Sequence, residues 1–292
     1  ILSYLPFESL LDENDNYLVD NYTVRYVQSL KTFDYLQSKQ KLNYQKDVLA
    51  IGGALYNNKM QEELAIDKRT ISYIERGLSD SSNSIGIMGK SYDYLGLGSW
   101  NNIPGSLLEV NMVSDLFSNS STLIGANAYE TNFKQLSSKG DLSSYKIIHF
   151  ATHGIVIPDI PDLTAIVFSQ VDKGQIDDGY LTVKEIEILN IKTELVNLSA
   201  CNSGIGKVYD GEGVVGLVQA FMVAGADAVS STLWPISDDA TAIFMESYYR
   251  KIFDGKPYDV ALANTKQEFI HGIYGEEYEN PYYWASYVYY GK

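Results

Sequence analysis

Short apolar, β-branched runs punctuate the chain at residues 48–51, 122–124, 146–150, 165–168, 195–199 and 228–233. They are nearly continuous in hydrophobicity rather than alternating, which predicts strands covered on both faces. Helical stretches with their own start and stop signals lie between several of them. Thr182 with Glu185 forms a capping box that opens a helix over 183–189, and Asn127 with Glu130 predicts the same for 128–136. Ser237 stands where a cap belongs, followed by Asp238 and Asp239 in the first turn. Arg250 and Lys251 fall in the last turn, before Gly255 and Pro257, so every charge suits the helix dipole.

Strands alternating with helices predict an α/β fold, with a mostly parallel sheet flanked by helices in three layers and an active site beyond the carboxyl ends of the strands. The Gly-, Ser-, Asn- and Tyr-rich segment 81–106 has no steady period and marks a boundary. It divides the chain into an N-terminal half, about 1–105, and a C-terminal half, 106–292. The upstream half alternates in places over 17–27 and contains neither His nor Cys.

Composition narrows the functional classes. With 22 Lys plus Arg against 37 Asp plus Glu, the net charge is −15, and neither sign is gathered into a run. Such a surface is a poor match for nucleic-acid phosphates and anionic membranes. The longest apolar stretch, 213–226, carries glycines and is too short to span a bilayer, so it predicts a buried helix. A single Cys excludes an intramolecular disulfide framework and fits a reducing, cytoplasmic setting. The chain opens at Ile1 rather than Met, which leads to the expectation that it is part of a longer protein.

Two strand ends carry candidate chemistry. The run 146–150 leads into Ala151, Thr152, His153 and Gly154, and the run 195–199 leads into Ala200, Cys201, Asn202 and Ser203. If the two strands are parallel neighbours, His153 and Cys201 emerge at the same edge. A thiol attacks a carbonyl carbon as thiolate, and an adjacent imidazole can hold that thiolate and later protonate a departing amine. The N–H groups of Gly154 and Cys201 are candidates to surround the developing oxyanion.

Other signals have plainer readings. Gly211, Gly213 and Gly216 spell GxGxxG, but no strand directly precedes them, and Asp210 and Glu212 would repel a phosphate, so close helix packing is expected. His149 lies within an apolar run and reads as a core histidine, and His271 reads as a helix C-terminal cap. The three His and one Cys form no structural zinc pattern, and no GxSxG elbow is present. Most of the 24 tyrosines lack basic neighbours and read as core rather than as a base-stacking platform.

Taken together, IIHFATHG at 147–154, NLSACNSG at 197–204, GEGVVGLVQAFMVAGADAVSSTLW at 211–234 and SDDAT at 237–241 resemble the CHAT domain. LPFESLL at 5–11, YLVDNYTVRYVQSL at 17–30 and WASYVYYG at 284–291 extend the resemblance over most of the chain. The resemblance implies a caspase-like three-layer sandwich related to caspases, gingipains and separase, with an N-terminal pseudo-caspase-like half and a catalytic half. It implies that His153 is the catalytic histidine, Cys201 the nucleophile and Gly154 an oxyanion donor. It also places Asp238 on an acid that, in separase relatives, helps recognise a basic side chain before the cut. Ser203 stands where the family usually has Thr, a change that keeps the hydroxyl.

The activity implied is that of a cysteine endopeptidase cutting a specific partner protein, with no cofactor and no metal needed for cleavage. An upstream TPR or other sensor region, an inactive resting state and a bacterial antiviral or cell-death setting are implied as well. Segment 81–106 or the loop 173–180 is then expected to order on activation. The rival reading is a signalling or scaffold module that keeps the fold without cleaving.

Overall fold

The computed structural model describes residues 5–40, 42–56, 91–92, 98, 100–157, 160–171, 176–199 and 212–292. Among these, β1 (Lys46–Ala54), β2 (Ser120–Gly125), β3 (Tyr145–Ala151), β7 (Leu195–Leu198), β8 (Ala228–Thr232) and β9 (Tyr287–Gly291) form one sheet in the order β2-β1-β3-β7-β8-β9. Every pairing is parallel except that of β8 with β9 at one edge. The expected mostly parallel α/β sheet is therefore present, and its central strands β3, β7 and β8 are buried almost throughout.

Two expectations about strands change. Run 122–124 lies in β2 at the other edge, half-exposed rather than covered on both faces. Run 165–168 supplies β5 (Ala165–Val167), which belongs to a separate antiparallel sheet with β4 (His153–Ile155) and β6 (Tyr180–Thr182). An apolar run reports burial but not the direction of its neighbours, so the sequence signal is the same in both sheets.

Helices cover both faces of the larger sheet. Alternate residues of β3 separate the two cores: Ile148 and Phe150 pack with α3 (Glu130–Ser138) and α5 (Glu212–Val223) through Phe133, Val218 and Phe221. Ile147 and Ala151 point the other way, toward α2 (Pro104–Leu116), α6 (Asp238–Phe253) and α7 (Tyr258–Ile270) through Val110, Val113, Phe244 and Phe269. Gly52 permits the close seating of α2, because a Cβ there would lie 2.7 Å from Val110 Cγ2 and 2.8 Å from the Ala151 carbonyl oxygen. Helix α1 (Leu30–Ser38) is capped by the Ser29 side chain.

The Thr182–Glu185 capping box is formed in both directions and opens α4 (Val183–Glu187), which is shorter than expected. Helix α3 begins later than the Asn127–Glu130 pattern predicts. Tyr129 is its N-cap and makes no side-chain cap bond, while Glu130 is drawn inward to accept from the Gly179 N–H and to pair with Lys134. Ser237 does hold the N-cap of α6, although its side chain makes no capping bond.

His271 is the C-cap of α7, as read from the sequence. Gly216 faces Val183 on α4, in keeping with helix packing, while Gly211 lies outside the described residues. Segment 17–27 contributes a single helical turn, Leu18–Asn21, and an isolated bridge from Tyr26 to Tyr290. Tyr248, Tyr249, Tyr287, Tyr289 and Tyr290 are core residues, whereas Tyr282 is half-exposed. Among the described residues no helix is long and apolar enough to cross a membrane.

Candidate active site

Strands β3 and β7 are parallel neighbours, with His149 opposite Asn197 and Phe150 opposite Leu198. His153 follows Phe150 by three residues, and Cys201 follows Leu198 by the same number. Residues 200–211, Cys201 among them, lie outside the described residues. The last described residue on that side, Ser199, donates its N–H to the Phe150 carbonyl and so continues the pairing to the sheet edge.

After β3 the chain bends at Thr152 and enters β4, which puts the His153 ring beyond the carboxyl ends of the parallel strands. Gly154 is buried in β4 opposite Ile166. The imidazole of His153 is enclosed, with 7% of the residue exposed, and lies between the rings of Tyr56, 4.8 Å away, and Trp100, 5.0 Å away. Both rings are tethered: Tyr56 donates its hydroxyl to the Val167 carbonyl at 2.9 Å, and Trp100 Nε1 donates to Tyr180 Oη at 3.2 Å.

His153 Nε2 sits 2.6 Å from the backbone carbonyl oxygen of Asn101. A carbonyl oxygen can only accept, so Nε2 carries the proton and the Nδ1 lone pair is left for chemistry. Burial pushes the His153 pKa below its ordinary value, against the opposing pull of the Asn101 bond and the negative charge of Asp238. Burial thus favours a neutral imidazole of defined tautomer, which can take up a proton at Nδ1 and, once charged, give it back there.

At Thr152, the residue before His153, a cleft of about 60 Å³ opens at the ends of β3, β7 and β8, between the N-terminal turns of α2 and α6, and His153 itself does not line it. Ser106, Glu109, Thr152, Ser199, Thr232 and Asp238 contribute to its lining. Asp238 opens α6, is exposed and lies against Gly105, where a Cβ would come within 3.2 Å of its own. Glu109 Oε1, Ser199 Oγ and Thr232 Oγ1 are buried and make no hydrogen bond among the described residues. The cleft therefore combines two carboxylates with the Ser199 and Thr232 hydroxyls, a negative and hydrogen-bonding lining that suits a basic group.

The structure thus brings together His153, Gly154 and Asp238 of the residues named from sequence. It adds Asn101, Tyr56, Trp100 and Glu109, which no spacing rule singles out, because they reach the site from distant segments. Among the described residues, no group of three or more His, Cys, Asp or Glu side chains is placed to hold a metal ion.

Comparison with known proteins adds a lineage. Tetratricopeptide repeat protein 28 of Mus musculus is 24% identical over 223 residues, which cover 66% of this chain and 9% of that protein. Its Homo sapiens counterpart matches to the same extent. The chain spans under a tenth of the length of these relatives. Among solved structures, the Saccharomyces cerevisiae separase–securin complex aligns with 99% of this chain and 14% of its own, at 14% identity and a TM-score of 0.47. The Arg-specific cysteine proteinase gingipain R aligns over 90% and 51%, at 10% identity and a TM-score of 0.48. The CHAT domain pattern matches residues 1–292, so the chain belongs to the CHAT domain family.

Proposed function

We propose that this CHAT domain is a caspase-like cysteine endopeptidase acting on a partner protein, with Cys201 as nucleophile and His153 as proton carrier. One observation carries the reading: β3 and β7 are in parallel register and end together, and each has a dyad residue three positions beyond the Phe150–Leu198 pair. Three extended residues span at most about 10 Å, so chain connectivity keeps both residues near one edge.

In this reading the Cys201 thiolate attacks the scissile carbonyl, and the N–H groups of Gly154 and Cys201 receive the oxyanion. His153, fixed by Asn101 through Nε2, takes the Cys201 thiol proton at Nδ1 as the thiolate forms and delivers that proton to the departing amine. It then takes one from the water that hydrolyses the acyl-enzyme. The chemistry uses only these groups and calls for no metal. Asp238, with Glu109 deeper in the cleft, favours a basic side chain at the residue before the cut.

The tetratricopeptide relatives support an upstream repeat region that controls access, and a cytoplasmic role in a bacterial defence or cell-death response is part of the same proposal. The test is incubation of the protein with candidate partners, with and without an activator, comparing wild type, Cys201→Ala and His153→Ala. Cleavage by wild type alone, mapped by mass spectrometry to a site after Lys or Arg, is the expected result. Equal partner binding with no cleavage by any of the three overturns it in favour of a scaffold.

A further inference from the structure

A second polar cluster lies one step inside the sheet from the dyad. His149 and Asn197 are wholly buried, as is Tyr249 of α6, and Glu109 of α2 is 5% exposed. Asn197 Nδ2 donates to His149 Nδ1 at 2.9 Å, and the Tyr249 hydroxyl lies 3.0 Å from the same nitrogen. An amide nitrogen only donates, so Nδ1 is the acceptor and the ring proton is on Nε2. That nitrogen faces Glu109 Oε1 at 3.3 Å, within reach of charge attraction though not aligned as a hydrogen bond. Asn197 Nδ2 also approaches Met245 Sδ at 3.4 Å. Four elements, β3, β7, α2 and α6, therefore meet on one imidazole.

Such groups are costly inside a sheet, and an apolar pair would fill the same space without that cost. Their position suggests what they contribute. β3 and β7 are apolar on both faces around them, so sliding one strand by a residue would still bury hydrocarbon, and hydrophobicity alone specifies the register weakly. A directional bond between directly opposed residues distinguishes the native register from its neighbours, because any slip strands His149 and Asn197 without partners. The same register decides whether the residues after Phe150 and Leu198 come out level.

We propose that the His149–Asn197 pair, clamped by Glu109 and Tyr249, is a register key that positions His153 against Cys201. His149 and Asn197 act here as positioning residues, and the inference rests on the protease reading above.

The test uses the only thiol in this chain. The rate of Cys201 alkylation by iodoacetamide is followed from pH 5 to 9, well below the melting temperature, in wild type, His149→Leu, His149→Gln and Tyr249→Phe. Wild type is expected to retain a reactive limb below pH 7, where a thiolate is held by His153. His149→Leu loses that limb and reacts at least about tenfold more slowly at pH 6. His149→Gln, which can still accept from Asn197 and donate toward Glu109, recovers most of it. Tyr249→Phe removes one hydroxyl while keeping the ring, shows a smaller slowing in the same direction, and decides the matter if His149→Leu does not fold.

A folded His149→Leu that melts lower but keeps the wild-type profile overturns the register key, as does an unchanged Tyr249→Phe if it has to decide. A wild-type thiol that titrates like an ordinary cysteine overturns the protease reading, and this inference falls with it.

Discussion

At the scale of single residues, His153 is the group whose environment sets the chemistry. Burial favours its neutral form, so its folded pKa lies below the ordinary 6.5, while Asp238 pulls it upward. The folded protein therefore resists a proton that the unfolded chain accepts, and this residue withdraws stability as pH falls from the unfolded value through the folded one. Titration of the ring followed by NMR in Cys201→Ala, where no thiolate can pair with the imidazole, should give a midpoint below 6.5. Asp238→Asn should move it lower still, because a carboxylate charge that favours the protonated ring is removed. A midpoint unchanged in Asp238→Asn would show that the acid does not reach the imidazole.

At the scale of elements, turns and caps carry the strands to the site at the correct level. Thr182 caps α4 directly after β6, so Thr182→Ala should cost about 1 kcal/mol, read as a lowered urea midpoint. Gly225 closes α5 before β8 with φ of +117°, and a Cβ there would sit 2.0 Å from the Ile191 carbonyl oxygen. Gly225→Ala is accordingly expected to destabilise by about 1–3 kcal/mol or more and to disturb β8, next to the cleft.

For the whole molecule, the N-terminal segment is bound to the α7 side of the sheet by ion pairs that no local sequence rule anticipates. Lys266 and Glu8 are both almost fully buried and meet at 2.8 Å, and Tyr26 also donates to Glu8 at 2.5 Å. Arg25 reaches Asp259 at 2.6 Å. Lys266→Met leaves a buried carboxylate without its counter-charge and should cost about 3–5 kcal/mol. Adding Glu8→Leu should restore much of that loss, because an apolar pair carries no desolvation penalty. Denaturant midpoints of the single and double variants separate the pair from its packing.

The sequence by itself determined the alternation of strands and helices and the apolar runs that become strands, and it set His153 three positions past Phe150 and Cys201 three past Leu198. Those signals are local: apolar runs, caps and breakers depend on a few consecutive residues. It also marked His149 as a core histidine, though not what that histidine holds. Only the tertiary structure decided that β5 leaves the main sheet, that β2 is an edge and that Glu130 turns inward. It alone brought the Asn101 carbonyl to Nε2 and Glu109 to the cleft floor. These depend on which distant segments pack together, and packing is set by the summed fit of many side chains, so no window of the sequence contains it.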